Sequence, residues 1–280
     1  MFWSGIADEA GRALETQIRA HKELGWSHIE LRQIGDTTLA YADDREFDRI
    51  RRTLDRAGMK VSCFASAIAN WSRDVTDPFD KDVDELRRAI PRLRQLGTKY
   101  VRIMSYVNKK PLPEAEWRRE ALRRLKELAR IAEDGGVVLL HENCHGWASE
   151  SPENTNDMLA EVNSPALKLV FDTGNSQGGG RTSWGFYEKL DKRQIAYVHL
   201  KDMRNDGSAT WPGEGDSSVR RILEDLFRRG YDGGISIEPH IAAVIHEGKE
   251  SDPKRMYDSY IEYGRRAMTL VNGIRSGANT

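Results

Sequence analysis

A helix-like segment that ends in glycine and leads into a short apolar strand recurs along this chain. The pattern is clearest at Gly25, Gly58, Gly97, Gly135 and Gly230, each followed within a few residues by a run such as VSCF or VVLL. Glycine suits the position after a helix because it enters the left-handed backbone conformation freely. The repeat therefore predicts strands and helices that alternate along the chain.

Eight apolar runs are long enough to be strands. They lie near residues 2–7, 28–33, 60–67, 100–106, 137–142, 167–172, 195–200 and 234–238. Helix-like stretches separate them, and another closes the chain. This alternation predicts an α/β protein, a single (β/α)8 TIM barrel over residues 1–280. An open doubly wound sheet is the structural alternative, but no Gly-x-Gly-x-x-Gly follows the first strand to support it.

The charge balance argues against a nucleic-acid or membrane partner. The chain has 280 residues, with 43 Lys plus Arg against 44 Asp plus Glu. A net charge near zero supplies no general field for phosphate backbones or anionic lipids. No apolar run reaches the roughly 18–20 residues that span a bilayer, and the first residues lack the pattern of a signal peptide. We therefore expect a cytoplasmic protein.

Metal-competent side chains close four consecutive predicted strands. They are Glu142, Asp172, His199 and Glu238. Chemistry in a (β/α)8 barrel sits at these carboxyl ends of the strands. One acid in such a place is more often a turn former or helix cap, but four on adjoining strands favour a shared metal site. Three carboxylates and one imidazole suit Mn²⁺, Mg²⁺ or Co²⁺.

These four residues, in HENCH, FDTGN, HLKD and SIEPH, resemble the xylose-isomerase-like sugar isomerase/epimerase superfamily. The resemblance implies that they bind one divalent cation and that Glu142 and Glu238 also act as catalytic acid and base. Two positions depart from the family pattern. Asn175 stands where many members have histidine, and Arg204 is only a candidate for the arginine that many ketose epimerases carry after the strand-seven histidine.

A divalent ion on a carbonyl oxygen and an adjacent hydroxyl acidifies the carbon between them, because it stabilises the enediolate charge. Return of the proton to a neighbouring carbon gives isomerisation, and return to the opposite face gives epimerisation. Loss of a β-leaving group gives elimination instead. We favour a sugar isomerase or epimerase, with a lyase or dehydratase on an inosose or 3-keto-glycoside as the alternative. A non-catalytic sugar-binding protein is the third possibility.

Other residues near strand ends are candidates for binding a small carbohydrate. Aromatic rings stack on the apolar face of a sugar, and polar groups bind its hydroxyls. The candidates are Trp71, Trp147, Trp211, Glu30, Arg32, His145, Asn175, Lys201, Arg204 and His240. An apurinic-site endonuclease shares the barrel but needs histidines on early strands, and strands two to four end without any. A homo-oligomer is expected, and the sequence leaves dimer against tetramer open.

Overall fold

Eight parallel strands form the barrel in the computed structural model, which describes residues 1–245 and 248–277. The strands are β1 Phe2–Gly5, β2 His28–Leu31, β3 Lys60–Ala65, β4 Tyr100–Ser105, β5 Val138–Gly146, β6 Leu167–Asp172, β7 Ile195–Leu200 and β8 Gly234–Ile237. Each strand from β2 to β7 pairs with the next in chain order, and β8 pairs with β1. A parallel bridge between Ile6 and Glu30 joins β1 to β2 and closes the ring. The predicted TIM barrel is confirmed.

A helix follows every strand. The helices are α1 Leu14–Glu23, α2 Asp44–Ala57, α3 Asp80–Gln95, α4 Glu114–Gly135, α5 Pro152–Val162, α6 Ser183–Glu188, α7 Val219–Arg228 and α8 Pro253–Arg275. Side chains of Asp43, Ser151, Thr182 and Asp252 accept backbone N–H bonds where α2, α5, α6 and α8 begin. None of the helices in the described ranges is long and apolar enough to cross a membrane.

One glycine of the predicted repeat does not have the role expected of it. Gly135 is the last residue of α4, and Gly136 takes the left-handed conformation with a φ of 68°. A Cβ on Gly135 would stand 2.6 Å from Ile90 Cδ1, so close packing of α4 on α3 explains the residue there. The sequence pattern therefore misplaced the end of this helix by one residue.

A small apolar cluster inside the barrel lies below the candidate site. Its members Cys63, Leu140, Val170 and Tyr197 come from β3, β5, β6 and β7. Side chains two residues apart on a strand point to the same face. Glu142, Asp172 and His199 stand two residues beyond Leu140, Val170 and Tyr197, so the strands that bury the apolar cluster also direct the polar groups inward.

A candidate metal centre at the mouth of the barrel

The four predicted ligand residues meet at the carboxyl ends of β5 to β8. One ligand atom from each of Glu142, Asp172, His199 and Glu238 can be chosen so that all lie within 4.8 Å of one another. All four side chains are buried. Glu142 lies within β5, which runs four residues further than the sequence predicted, and Glu238 follows the last residue of β8. Four neighbouring strands thus place four ligand groups around one point.

Hydrogen bonds fix the carboxylate of Glu142 on both of its oxygens. Oε2 accepts from Nη1 of Arg102 at 3.3 Å, and Oε1 accepts from Nδ2 of Asn175 at 3.1 Å. Oε1 also lies 3.2 Å from Nδ1 of His199. Asn175, the residue that departs from the family pattern, therefore contacts a candidate ligand directly.

A fully buried carboxylate supports the imidazole of His199. Nε2 of His199 lies 3.1 and 3.2 Å from the two oxygens of Glu30 on β2, while Nδ1 faces Glu142. A carboxylate on the far nitrogen fixes the tautomer and the ring orientation of a metal-binding histidine. Glu30 was predicted to contact sugar hydroxyls, but the structure buries it completely behind His199, where it contacts this ligand instead.

Backbone amides hold one oxygen of Asp172. Oδ1 accepts the N–H groups of Gly174 and Asn175 at 2.7 and 2.8 Å, so the turn after β6 orients the carboxylate. Oδ2 is buried and accepts no hydrogen bond from the described residues, although Lys201 Nζ lies 3.2 Å away. A buried oxygen with an unused lone pair is costly, and a bound cation would satisfy it.

Cations surround Glu238. Nζ of Lys201 donates to its Oε2 at 2.8 Å, and Nη1 of Arg32 donates to its Oε1 at 3.1 Å. Arg32 also makes a bidentate contact with Asp8, with both nitrogen–oxygen distances at 2.9 Å. His240 has a φ of 53°, and its Nε2 lies 3.4 Å from Glu238 Oε1 and from Glu9 Oε1.

The protein environment gives the buried carboxylates different pKa values. Burial opposes ionisation of Glu142, but Arg102 and His199 outweigh it and lower its pKa to about 2. Burial raises the pKa of Asp172 to about 6, against the attraction of Lys201. Burial also raises the pKa of Glu9 to about 7. Burial opposes the charge of Lys201, yet Asp172 and Glu238 raise its pKa well above the usual value.

The donor set fits a divalent cation on the evidence of this structure. Three carboxylates and an imidazole are ligands that Mn²⁺, Mg²⁺, Co²⁺ and Zn²⁺ accept, and among them Asp172 Oδ2 is a buried oxygen that accepts no hydrogen bond from the described residues. Nδ1 of His199 faces this group, because Nε2 faces Glu30. The residues that could hold the ion are therefore Glu142, Asp172, His199 and Glu238.

A cavity of about 190 Å³, called the metal cavity below, opens onto this cluster. It contains five of the predicted substrate-binding residues, which are Trp71, His145, Asn175, Lys201 and His240. The ring of Trp71 meets that of His145 edge to face, with centroids 5.8 Å apart. The cavity therefore joins an aromatic wall to polar groups, as a sugar site requires.

Three other predicted substrate-binding residues lie outside the metal cavity. Trp147 is 1% exposed and donates Nε1 to Glu114 Oε1 at 2.7 Å, so it packs the loop after β5 onto α4. Trp211 packs under the guanidinium of Arg266, 4.5 Å from its ring centroid. Arg204 is exposed on a short hairpin formed by Asp202–Met203 and Ala209–Thr210. The sequence correctly predicted that these residues lie in loops at the carboxyl ends of the strands, but it could not predict where their side chains point.

Comparison with known proteins identifies the family. The family model of the xylose isomerase-like TIM barrel matches residues 18–263. This chain belongs to that family. The rhizopine catabolism protein MocC of Rhizobium meliloti is 29% identical over 245 residues, which cover 75% of this chain and 72% of the relative. The inosose isomerase of Halalkalibacterium halodurans is 23% identical over 262 residues, 88% and 89% of the two chains.

Shorter and more distant similarities agree with this membership. An inosose dehydratase of Clostridium beijerinckii is 28% identical over 143 residues, 45% of this chain and 47% of the relative. A solved structure of an IOLI protein with a bound zinc atom superposes with a TM-score of 0.77 at 17% identity, over 98% and 99% of the two chains. Relatives in this xylose isomerase-like family thus include isomerases and dehydratases, which supports an enzyme that acts on small carbohydrates.

Sequence reasoning missed several charged residues around the centre. Arg102 lies inside the apolar run of β4 and is 2% exposed, and Asp8 and Glu9 come three and four residues after the end of β1. A charge within a buried strand needs a partner, so the arginine in YVRIMSY was a usable signal. Asp8 and Glu9 follow the same strand-end pattern as the ligands, but Asp8 pairs with Arg32, and Glu9 contacts both Arg32 and His240.

Proposed function

We propose that this protein is a divalent-metal-dependent isomerase or epimerase that removes a proton from the carbon next to the carbonyl group of a sugar or cyclitol. The observation that carries the proposal is the cluster of Glu142, Asp172, His199 and Glu238, whose ligand atoms lie within 4.8 Å. A cation held there would stabilise the negative charge that develops on the carbonyl oxygen as the proton leaves. Inosose isomerase among the relatives supports this class of chemistry.

Glu142 and Glu238 are proposed to move the proton. They reach the cluster from strands separated by β6 and β7, so they approach a bound ring from different sides. Arg102 and Asn175 hold Glu142, while Lys201 and Arg32 hold Glu238. Each glutamate is therefore oriented before substrate arrives, as acid–base catalysis needs.

Lys201, His145 and Trp71 are proposed to position the substrate. Lys201 presents a buried ammonium beside Glu238, where it can donate to an oxygen on the reacting carbons. His145 and Trp71 form the wall that faces the ring. Asn175 is proposed to set substrate preference, because it stands between Glu142 and the turn that holds Asp172.

Elimination of water from a keto-sugar or inosose is the second candidate. The pair Glu9 and His240 favours it, since the pKa of Glu9 is raised by burial to about 7 and His240 Nε2 lies 3.4 Å from Glu238. The protonated carboxyl group of Glu9, next to His240 and Glu238, would assist departure of a hydroxyl. The inosose dehydratase among the relatives supports this reaction equally.

Proton NMR in D₂O tests the function. The protein is loaded with Mn²⁺, Mg²⁺, Co²⁺ or Zn²⁺, and a panel of ketoses, inososes and 3-keto-glycosides is added to each. Solvent deuterium at the carbon next to the carbonyl, with an isomeric product, supports the isomerase or epimerase. An unsaturated product supports the dehydratase. Metal and sugar binding without any exchange would leave only a binding protein. The cytoplasmic location and the homo-oligomer stay predictions.

A further inference from the structure

The segment that follows β8 has an unusual backbone conformation at His240. This residue has a φ of 53°, in the left-handed region that residues with a Cβ disfavour. Of the five non-glycine residues with positive φ in the described part of the chain, His240 is the one that lines the metal cavity. Strained backbone persists only where its surroundings hold it, and it is common at functional sites. A contact that holds His240 is therefore expected nearby.

The carboxylate of Glu9 makes that contact. Its Oε2 accepts the backbone N–H of His240 at 2.9 Å. Glu9 lies in the short helical turn Ala7–Glu9 that follows β1, and β1 pairs with β8, so the hydrogen bond joins segments that follow two neighbouring strands. Glu9 is 3% exposed, which shields the bond from water. The N–H of His240 lies beyond the end of β8 and needs an acceptor outside the sheet, and Glu9 supplies it.

The second oxygen of Glu9 faces the ring of the same histidine. Oε1 of Glu9 lies 3.4 Å from Nε2 of His240, and that nitrogen also lies 3.4 Å from Oε1 of Glu238. Glu9 thus contacts His240 at both the backbone and the imidazole. Because there are two points of contact, the direction of the ring is fixed as well as the path of the chain. The imidazole is thereby held between Glu9 and the proposed catalytic glutamate.

Glu9, Glu238 and His240 could instead form a cation site of their own, since one ligand atom from each lies within 4.8 Å of the others. The position of Arg32 argues against that alternative. Its Nη2 lies 3.5 Å from Oε1 of Glu9, and its Nη1 lies 3.1 Å from Oε1 of Glu238. The guanidinium group already supplies positive charge to both carboxylates, and it would repel a metal ion placed between them. The contacts of Glu9 therefore serve to hold its neighbours.

We infer that Glu9 is a positioning residue, which holds His240 in the left-handed conformation and, through its imidazole, fixes the carboxylate of Glu238 for proton transfer. Glu9 does not line the metal cavity, whereas His240 and Glu238 do. Any effect of Glu9 on the reacting ring must therefore pass through them. The inference rests on the proposed function, because it takes Glu238 to move the proton.

Amide hydrogen exchange of His240, followed by NMR, tests the contact without substrate. The wild-type amide is expected to exchange slowly. Glu9→Ala removes the acceptor and Glu9→Asp shortens its side chain by one carbon, so each should raise the exchange rate at least about tenfold. Glu9→Gln keeps an oxygen that can accept the same N–H and should retain most of the protection. Unchanged exchange in Glu9→Asp, or full loss of protection in Glu9→Gln, would overturn the inference. Glu9→Asp decides the matter if Glu9→Ala does not fold.

A matched control lies on α3. Glu85 is also buried, and its Oε1 accepts the backbone N–H of Ala67 at 2.9 Å. Glu85→Asp shortens this acceptor in the same way and should speed amide exchange at Ala67 while the amide of His240 stays protected. Faster exchange at His240 in both aspartate variants would indicate general loosening of the protein and would contradict a specific contact with Glu9.

Kinetic measurements separate positioning from a purely structural role. Glu9→Asp should lower kcat about 10–100-fold, while KM and the affinity for Mn²⁺ stay within about threefold of the wild type. His240→Gly should lower kcat by a similar factor, and it should fold because glycine adopts positive φ without strain. Glu9→Asp should cause no further loss when it is added to His240→Gly. A further tenfold loss in the double variant would show that Glu9 acts independently of His240 and would overturn the inference.

The outcomes distinguish this inference from the proposed function. If the wild-type protein exchanges deuterium into no sugar, the proposed function is refuted, and amide exchange still decides whether Glu9 holds His240. If a folded Glu9→Asp variant turns over sugar at the wild-type rate, the inference is refuted and the proposed function stands.

Discussion

The two halves of the barrel contribute differently to the same centre. The ligand half, β5 to β8 with the residues that follow them, supplies the four side chains whose ligand atoms meet within 4.8 Å. The support half, β1 to β4 with the residues that follow them, supplies Asp8, Glu30, Arg32 and Arg102, and two of these donate to candidate ligands while Glu30 contacts a third. The ligand half thus gathers three carboxylates, and the opposite charges come from Lys201 of the same half and from Arg32 and Arg102 of the support half.

The difference teaches how a buried cluster of acids persists in a folded protein. Desolvation of a lone carboxylate costs several kcal/mol, and an opposite charge with good geometry compensates that cost. Arg102 compensates Glu142, and Lys201 and Arg32 together compensate Glu238. Changes in the ligand half should therefore abolish chemistry, whereas changes in the support half should weaken metal binding or stability by smaller amounts.

The largest effect is expected from the two glutamates of the ligand half. Glu142→Gln and Glu238→Gln should each lower kcat at least a hundredfold and by up to about ten-thousandfold, because proton transfer is lost while shape is kept. Deuterium exchange by NMR gives the rate, and circular dichroism checks the fold. Full activity in either variant would remove that residue from the mechanism.

Asp172→Ala should remove a metal ligand from the same half. Elemental analysis of the dialysed protein should show loss of bound metal. Added Mn²⁺ should raise the melting temperature of the wild type but not that of the variant. Because this thermal readout needs no substrate, it separates metal binding from catalysis. Unchanged metal content would exclude Asp172 from the ligand set.

A change in the support half should weaken the metal without removing it. Glu30→Gln should lower the affinity for Mn²⁺ about 10–100-fold, since the carboxylate that orients His199 is lost. Glu85→Gln is the matched control, because Glu85 is equally buried on α3 but contacts none of the four candidate ligands. Calorimetric titration with Mn²⁺ compares them, and equal affinities would show that the halves are not coupled through His199.

Two buried histidines, His21 and His199, have pKa values that are shifted in opposite directions. Burial lowers the pKa of His21 to about 4, whereas Glu30 and Glu142 hold the pKa of His199 well above the ordinary value despite burial. Since the pKa of His21 is lower in the folded chain than the usual 6.5, the unfolded chain binds the proton first as the pH falls. Its contribution to stability is therefore present above pH 6.5 and is lost towards pH 4.

Urea unfolding at pH 7 and pH 5 measures this contribution. The free energy of unfolding should fall by about 2 kcal/mol more in the wild type than in His21→Gln between these values. The amide keeps a polar group near the Gln17 carbonyl that His21 Nδ1 contacts at 2.8 Å. If the acid loss is the same in both proteins, proton uptake by His21 does not control it.

The smallest effects should come from two tryptophans in neighbouring loops. Trp147→Phe should lower the free energy of unfolding by about 1–2 kcal/mol, because the bond to Glu114 is lost, and should leave sugar affinity within twofold. Trp71→Phe should change stability little and weaken sugar binding instead. Urea denaturation measures the stability of both variants, and calorimetry measures their sugar affinity, so each variant is the control for the other. Lower stability in Trp71→Phe and weaker sugar binding in Trp147→Phe would contradict these roles.

Much of the fold could be predicted from the sequence because the patterns that indicate its helices and strands are local. The glycine that ends a helix, the apolar run of a strand and the acid that closes it all lie within a few residues. These signals predicted the barrel, whose eight observed strands overlap the predicted ones. Asp172 illustrates the principle, since the turn residues TGN that follow its strand supply the amides that hold its carboxylate.

The sequence alone determined the barrel and the four candidate ligands, because strand ends in a parallel barrel converge by geometry. Only the tertiary structure decided how the surrounding side chains are used. Glu30 on β2 contacts His199 on β7, Trp71 and not Trp147 lines the metal cavity, and Arg102 on β4 donates to Glu142 on β5. These roles depend on side-chain direction and on contacts between residues far apart in the chain, which local patterns do not encode.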